Sequence, residues 1–182
     1  PVLSGSYDWE LNGGLSNLDV PQCLRVGSTY YMYYYTYWGT ERCIGVASST
    51  NLTTWHKLYT TTPLFSNYHY SVGAFHYGDY YYLTVAFAQN YGQCPSDIAL
   101  WRSLTPEITN PEIVRTVVPA NPDIAWQANE VEGCYPICTS IEKTAFAEDK
   151  LVMLLTGCDA TGLIWSQGII VEDDIDAALA FT

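Results

Sequence analysis

The sequence predicts an all-β protein made of four-stranded antiparallel β-propeller blades, and three observations carry that prediction. Aromatic residues are abundant, with 16 Tyr, 6 Trp and 5 Phe in 182 residues, and such side chains fit the pleated, half-buried surface of a strand. Short apolar runs alternate with turn residues, and the 13 Gly and 9 Pro are scattered between the runs rather than gathered in one segment. A strand–turn–strand–loop–strand order also recurs at a spacing of ~50 residues, within the range of propeller-blade repeats.

Residues 1–18 form a polar and aromatic lead. The first blade spans 19–58: a short inner strand over 21–26 ends at Gly27-Ser28, an aromatic strand covers 29–36, a third strand covers 42–48 after the turn around Trp38-Gly39, and 55–58 forms the outer edge. The second blade spans 70–117, with an inner strand over 72–77, a turn at Gly78-Asp79, an aromatic strand over 80–88, a polar loop over 89–96 and a third strand over 97–103. Gly27-Ser-Thr-Tyr-Tyr-Met32 matches Gly78-Asp-Tyr-Tyr-Tyr-Leu83, and Ile44-Gly-Val-Ala-Ser-Ser49 matches Ile98-Ala-Leu-Trp-Arg-Ser103. The third blade, 130–172, is a looser copy with strands over 130–138, 151–156 and 163–166. Asp173-Asp174 caps a short helix over 175–181. Closed propellers take roughly four to eight blades. Three blades therefore predict either a piece of a larger, five-bladed propeller or open edges covered by other chains or copies, because bare aromatic edges aggregate. A plain β-sandwich is the competing architecture, since tyrosine-rich strands recur there as well.

Lys and Arg number 7 against 19 Asp and Glu, giving a formal charge of −12. Such a surface repels phosphate backbones and anionic membranes, so nucleic acid is not expected as a partner, whereas neutral sugars, cations and basic proteins fit. No apolar run approaches the roughly 18 residues of a membrane span, and no basic, apolar, small-residue leader is visible. The cysteines are Cys23, Cys43, Cys94, Cys134, Cys138 and Cys158; none forms a zinc-type C-x-x-C pair. Cys23 and Cys43 stand on the first and third strands of one blade, about 9.5 Å apart at two strand spacings, against the ~5.5 Å between the Cα atoms of a disulfide. Mostly buried, unbridged thiols are expected. Asn51-Leu52-Thr53 matches a glycosylation sequon, which has meaning only if the chain is eukaryotic and secreted. No Gly-rich phosphate loop, G-x-S-x-G elbow or H-E-x-x-H motif occurs, and no cofactor or metal is predicted.

Strand direction alternates within a blade, so the start of the first strand, the end of the second and the start of the third share one rim. That rim collects Asp19, Trp38, Glu41 and Arg42 from the first blade. The second contributes His69, Tyr70, Asn90, Tyr91, Gln93 and Asp97, and the third Glu130, Glu132 and Asp159, with Trp126 leading into it. Carboxylates, amides and flat ring faces are the groups a sugar site uses. Each also has a plain structural role: Asp19 capping the turn before Pro21, Asp97 bonding its own turn, the tryptophans packing between blades, and Arg42 pairing with Glu41 or Asp19. His69 and His76 are too far apart in the pattern for metal ligation.

The run P-V-L…W-E…D-V-P-Q…V-G-S-T-Y-Y-M-Y-Y…I-G-V-A-S-S-T-N-L-T-T-W resembles an early blade of the five-bladed propeller glycoside hydrolases of families 43 and 32. The resemblance implies hydrolysis or binding of an oligo- or polysaccharide, outside the cell or on its surface. It implies Asp19 as base or nucleophile and Glu132, in Glu132-Gly133-Cys134, as the acid, with Glu130, two residues earlier on the same strand face, as the alternate. Their separation would decide inversion or retention, and an acidic rim raises the carboxylate pKa values as an acid requires. The chain departs from the pattern twice. Tyr70 stands where the second blade would carry a tuning Asp, leaving Asp97 as the nearby substitute. The usual Asp-Pro is here Asp19-Val20-Pro21, and one residue in a strand reverses side-chain direction. The alternative function is a non-catalytic glycan-binding, structural or receptor-binding module of a larger assembly, viral or cell-surface.

Overall fold

The computed structural model describes residues 2–38, 41–66, 69–87, 97–119, 130–136, 151–158, 161 and 165–172. The first blade is a four-stranded sheet of β3 (Leu18–Val26), β4 (Thr29–Trp38), β5 (Glu41–Ser49) and β6 (His56–Lys57), in that order. The second contains β7 (His69–Tyr77), β8 (Tyr80–Phe87), β9 (Asp97–Ser103) and β10 (Glu112–Pro119). The third has β11 (Glu130–Pro136), β12 (Leu151–Cys158) and β13 (Trp165–Glu172). All pairs are antiparallel and consecutive, the up-and-down order that distinguishes a blade from a sandwich. A small hairpin, β1 (Leu11–Asn12) and β2 (Leu15–Ser16), turns at Gly13-Gly14 ahead of the first blade.

Two tight turns carry the repeat. Gly27 and Gly78 both sit at positive φ, 59° and 57°, a backbone region that glycine enters without steric cost. Between the first two blades runs the main core, built by Leu24, Tyr33, Tyr35, Ile44 and Val46 against Val72, Ala74, Leu83 and Val85, with Phe65 and Ile108 sealing it. Tyrosines fit such a seam because the ring is apolar while the hydroxyl finds a partner at its margin. The hydroxyl of Tyr33 donates to the Pro106 carbonyl at 2.6 Å, that of Tyr31 to Glu107 at 2.9 Å, and that of Tyr59 to the Glu107 carbonyl at 3.0 Å.

Several boundaries differ from the sequence reading. β3 and β7 begin at Leu18 and His69 rather than at 21 and 72, because pairing resumes upstream of a bulge in each. The outermost described strand of the third blade runs from Trp165 to Glu172 instead of ending at 166. The helix expected over 175–181 lies outside the described residues.

Cys43 is free and fully buried, Cys158 is fully buried, and Cys23 is free and exposed. Desolvation pushes the Cys43 thiol up to about 12, and it is the thiolate that reacts. Mass-resolved labelling with an aromatic disulfide reagent should therefore mark Cys23 in the folded protein and reach Cys43 only after denaturation. Native labelling of Cys43 at the rate of Cys23 would contradict the burial.

Candidate functional site

Every inner strand carries a bulge close to its start. In β3, Asp19 pairs with Tyr35 and Gln22 with Tyr33, so three steps on one strand match two on its neighbour. In β7 the same slip falls between His69 and Val72, and in β11 between Glu132 and Cys134. A bulge inserts a residue, bends the strand and re-aims the side chains beside it. In β3 it takes up the extra residue of Asp19-Val20-Pro21: Val20 stands at φ 46°, a left-handed conformation that costs a β-branched residue energy and marks a backbone held by its surroundings. The Asp19 carboxylate accepts the Val20 N–H at 2.8 Å.

Asp19 is exposed and borders a hollow of about 250 Å³ whose other walls are Val2, Leu3, Leu18, Pro21, Met32 and Tyr34. A carboxylate at the edge of an apolar recess can accept a proton or a hydroxyl group while a ring's C–H surface rests beside it.

Glu132 pairs with Thr156 and is the last paired residue before its bulge, as Asp19 is before its own. Glu130 pairs with Cys158 at the first position of β11, on the same strand face. β7 lies against both β3 and β11, so the three inner strands are neighbours in chain order. Within β7, His69 opens the strand opposite Phe87 and Tyr70 falls inside the bulge. Asp97 pairs with Phe87 on one side and Pro119 on the other, at the same end of the second blade as His69. Trp38 ends β4 opposite Glu41, and Arg42 lies opposite Tyr37. The Arg42 guanidinium sits over the Tyr37 ring at 5.5 Å, and that ring meets Tyr35 edge-on at 5.0 Å. Burial raises the Tyr35 hydroxyl pKa most, the neighbouring Tyr37 hydroxyl adds to this, and the Arg42 charge opposes both. Asn90, Tyr91, Gln93, Trp126 and Asp159 lie outside the described residues. Among the described residues, no group of three His, Cys, Asp or Glu is placed to hold a metal, and no helix is long and apolar enough to cross a membrane.

One constellation escapes the sequence. Glu10 is completely buried and pairs with Lys57, whose side chain is 7% exposed. Its carboxylate also accepts the Tyr34 hydroxyl at 2.8 Å and the backbone N–H groups of Ser6 and Tyr7 at 2.8 and 3.1 Å. Lys57 further donates to the Ser4 carbonyl at 2.6 Å and to Ser6 Oγ at 2.9 Å. Beside it Trp9 lies parallel to Tyr34, centroids 6.3 Å apart. The network fastens the N-terminal segment to the first blade and so holds Val2 and Leu3 in the wall beside Asp19. Its only local signal is a charged residue next to tryptophan ahead of Gly13-Gly14; Lys57 is far away in sequence.

No protein-family model matches the chain, and no curated protein matches it by sequence. Solved structures do match. The β-1,2-mannobiose phosphorylase of Listeria innocua superposes with a TM-score of 0.72 at 14% identity, over 95% of this chain and 44% of that one. A family 117 glycoside hydrolase of the marine bacterium Zobellia galactanivorans gives 0.66 at 15% identity, over 86% and 52%. The GH32 β-fructofuranosidase of Bombyx mori gives 0.61 at 13% identity, over 89% and 35%. The chain thus spans about half, or less, of the length of these structures. At these identities the likeness is one of fold: the chain forms consecutive blades of the β-propeller found in glycoside hydrolases and related carbohydrate enzymes.

Proposed function

We propose that the rim at the start of the inner strands is a carbohydrate site, with Glu132 as general acid and Asp19 as the opposing carboxylate in cleavage of a glycosidic bond. One observation supports this above others: the two acids occupy the same register position, immediately before the bulge, in inner strands that flank β7. Chemistry at a glycosidic bond needs such a pair, one carboxyl protonating the leaving oxygen and the other ionised. Asp97 would tune the charge on the rim in place of the absent second-blade acid, and Glu130 is the alternate acid. Trp38, Arg42, His69, Tyr70, Asn90, Tyr91 and Trp126 would line the sugar path, with Arg42 held in place by Tyr37 and Tyr35. An extracellular or surface location accords with a polysaccharide substrate.

In a preparation that turns over β-1,2-mannobiose or an aryl glycoside, Glu132→Gln should reduce kcat by about 10²- to 10⁴-fold, the usual share of a general acid. Asp19→Asn should do the same, while Glu112→Gln, remote on β10, should not. Full activity in Glu132→Gln would remove this residue from the mechanism.

A second reading, a glycan-binding module without catalysis, is favoured by His69 standing immediately before the β7 bulge, where the other two inner strands carry an acid, with Tyr70 inside the bulge. Calorimetric binding of oligosaccharide with no product after prolonged incubation would select it.

A further inference from the structure

The first two blades share a second feature, at the end of their inner strands away from Asp19 and His69. Arg25 stands two residues before the turn glycine Gly27, and His76 two residues before Gly78. Each lies opposite a tyrosine of the next strand, Arg25 opposite Tyr30 and His76 opposite Tyr81. Both side chains rest on those rings. The Arg25 guanidinium is 5.6 Å from the Tyr30 centroid, and the His76 ring stacks on Tyr81 at 4.5 Å. A ring face attracts a guanidinium and holds its planar fork in one orientation, so less ordering remains to be done when a ligand arrives.

Arg25, Val26 and Gly27 of the first blade and His76 and Tyr81 of the second line a hollow of about 390 Å³. Sites for small organic molecules are of that order, roughly 300–1,000 Å³. Arg25 bends round its own turn, and its Nε donates to the Gly27 carbonyl at 3.0 Å. That bond occupies one of the five guanidinium N–H donors. Neither the terminal nitrogens of Arg25 nor the ring nitrogens of His76 make a hydrogen bond among the described residues. No carboxylate among them lines the hollow. Glu107, on the loop between β9 and β10, instead accepts the Tyr31 hydroxyl at 2.9 Å.

These groups select a negative charge. A guanidinium meets a carboxylate or phosphate with two parallel N–H bonds, and an imidazole keeps at least one N–H donor in either protonation state. The chain as a whole carries 7 Lys and Arg against 19 Asp and Glu. A hollow with an arginine, a histidine and no lining acid thus reverses the overall charge of the molecule. A cation would be repelled there, and a neutral molecule would leave the guanidinium unpaired.

We propose that this hollow binds a small organic anion carrying a carboxylate or phosphate group, with Arg25 gripping that group and His76 donating to it. Along β3 the step from Asp19 to Arg25 covers roughly 20 Å at the rise of a strand. The site is therefore separate from the carbohydrate rim, and the proposal does not rest on the glycan reading.

Imidazole-detected NMR at constant pH tests it on the whole chain, whose three histidines, His56, His69 and His76, report from different places. Galacturonate and glucose 6-phosphate are the probes, with neutral galactose as control. At least one of the two acids should shift the His76 resonances saturably, and galactose should leave them in place. The tighter binder tells whether the ligand carries a carboxylate or a phosphate. By calorimetry, Arg25→Gln and His76→Gln should each weaken that binding, Arg25→Gln by about tenfold or more, the share of a hydrogen bond with a charged partner. Arg102→Gln removes a cation from the other face of the second blade, where it lies over Tyr80, and should change nothing. Equal weakening by Arg102→Gln would reduce the effect to general charge attraction and overturn the proposal. A shift of His69 with His76 unmoved would place the anion at the rim and overturn it too. So would an unmoved His76 with both acids, a result that the wild-type chain gives whether or not the variants fold.

Discussion

Glu10→Ala is expected to lower the stability of the folded chain by about 3–5 kcal/mol, the cost of removing one partner from a buried ion pair. The carboxylate is fully buried and accepts from Lys57, Tyr34, Ser6 and Tyr7. Its loss therefore strands an ammonium and a tyrosine hydroxyl where water does not reach, and unsatisfied groups of that kind carry the full desolvation penalty. Lys57 keeps the Ser4 carbonyl and Ser6 Oγ, so the lower end of that range is the better expectation. Urea unfolding followed by tryptophan fluorescence measures it, through a drop in the midpoint. A change below about 1 kcal/mol would class the pair with exposed salt bridges. The double variant Glu10→Gln/Lys57→Met gives a further check. It removes both charges at similar volume, a replacement that is often neutral, and should recover most of the loss.

Gly45→Ala should be comparably damaging although it adds a single methyl group. A Cβ at Gly45 would lie 2.4 Å from Tyr34 Cζ and 2.6 Å from Trp9 Cη2, separations that real side chains do not adopt. Glycine within a strand often marks such a close approach. The rings cannot simply step aside: Tyr34 is tied to Glu10 through its hydroxyl, and Trp9 lies parallel to it. Overpacking of a core costs about 1–3 kcal/mol, and dislodging Tyr34 adds the loss of its bond to Glu10, roughly 1.5–3 kcal/mol for a charged partner. Thermal melting should fall markedly, with a red-shifted emission as Trp9 loses its packing. Because Gly45→Ala and Glu10→Ala release the same segment, their effects should fall short of additive. Strict additivity would mean that the two sites are uncoupled.

Much of the fold is legible in the sequence because blade geometry is local. Gly27 and Gly78 close tight turns, and the alternation along 29–38 and 80–87 follows the pleat. The third blade is harder to read from its inner strand. Its kinship to the first blade lies in the bulge that follows Glu132, which appears only once β11 and β12 are paired. Bulges are invisible for a related reason. They are a mismatch between two strands, and the extra residue before Pro21 reads as a reversed side chain until Tyr35 and Tyr33 are set opposite Asp19 and Gln22. The position of Asp19 at a strand mouth could be inferred; the apolar recess beside it could not, since Val2, Leu3 and Met32 reach it from distant segments. The Glu10–Lys57 pair belongs to the same class of long-range contact.

The two covered faces of the first blade also bear on how the molecule is made. Domains form largely in the order in which they leave the ribosome. Here the N-terminal segment closes one face of the first blade, and the second blade buries the other. In a growing chain the second face of the first blade then stays open until the second blade has formed. The strongly acidic chain repels its neighbours and so helps keep that open face soluble in the interval.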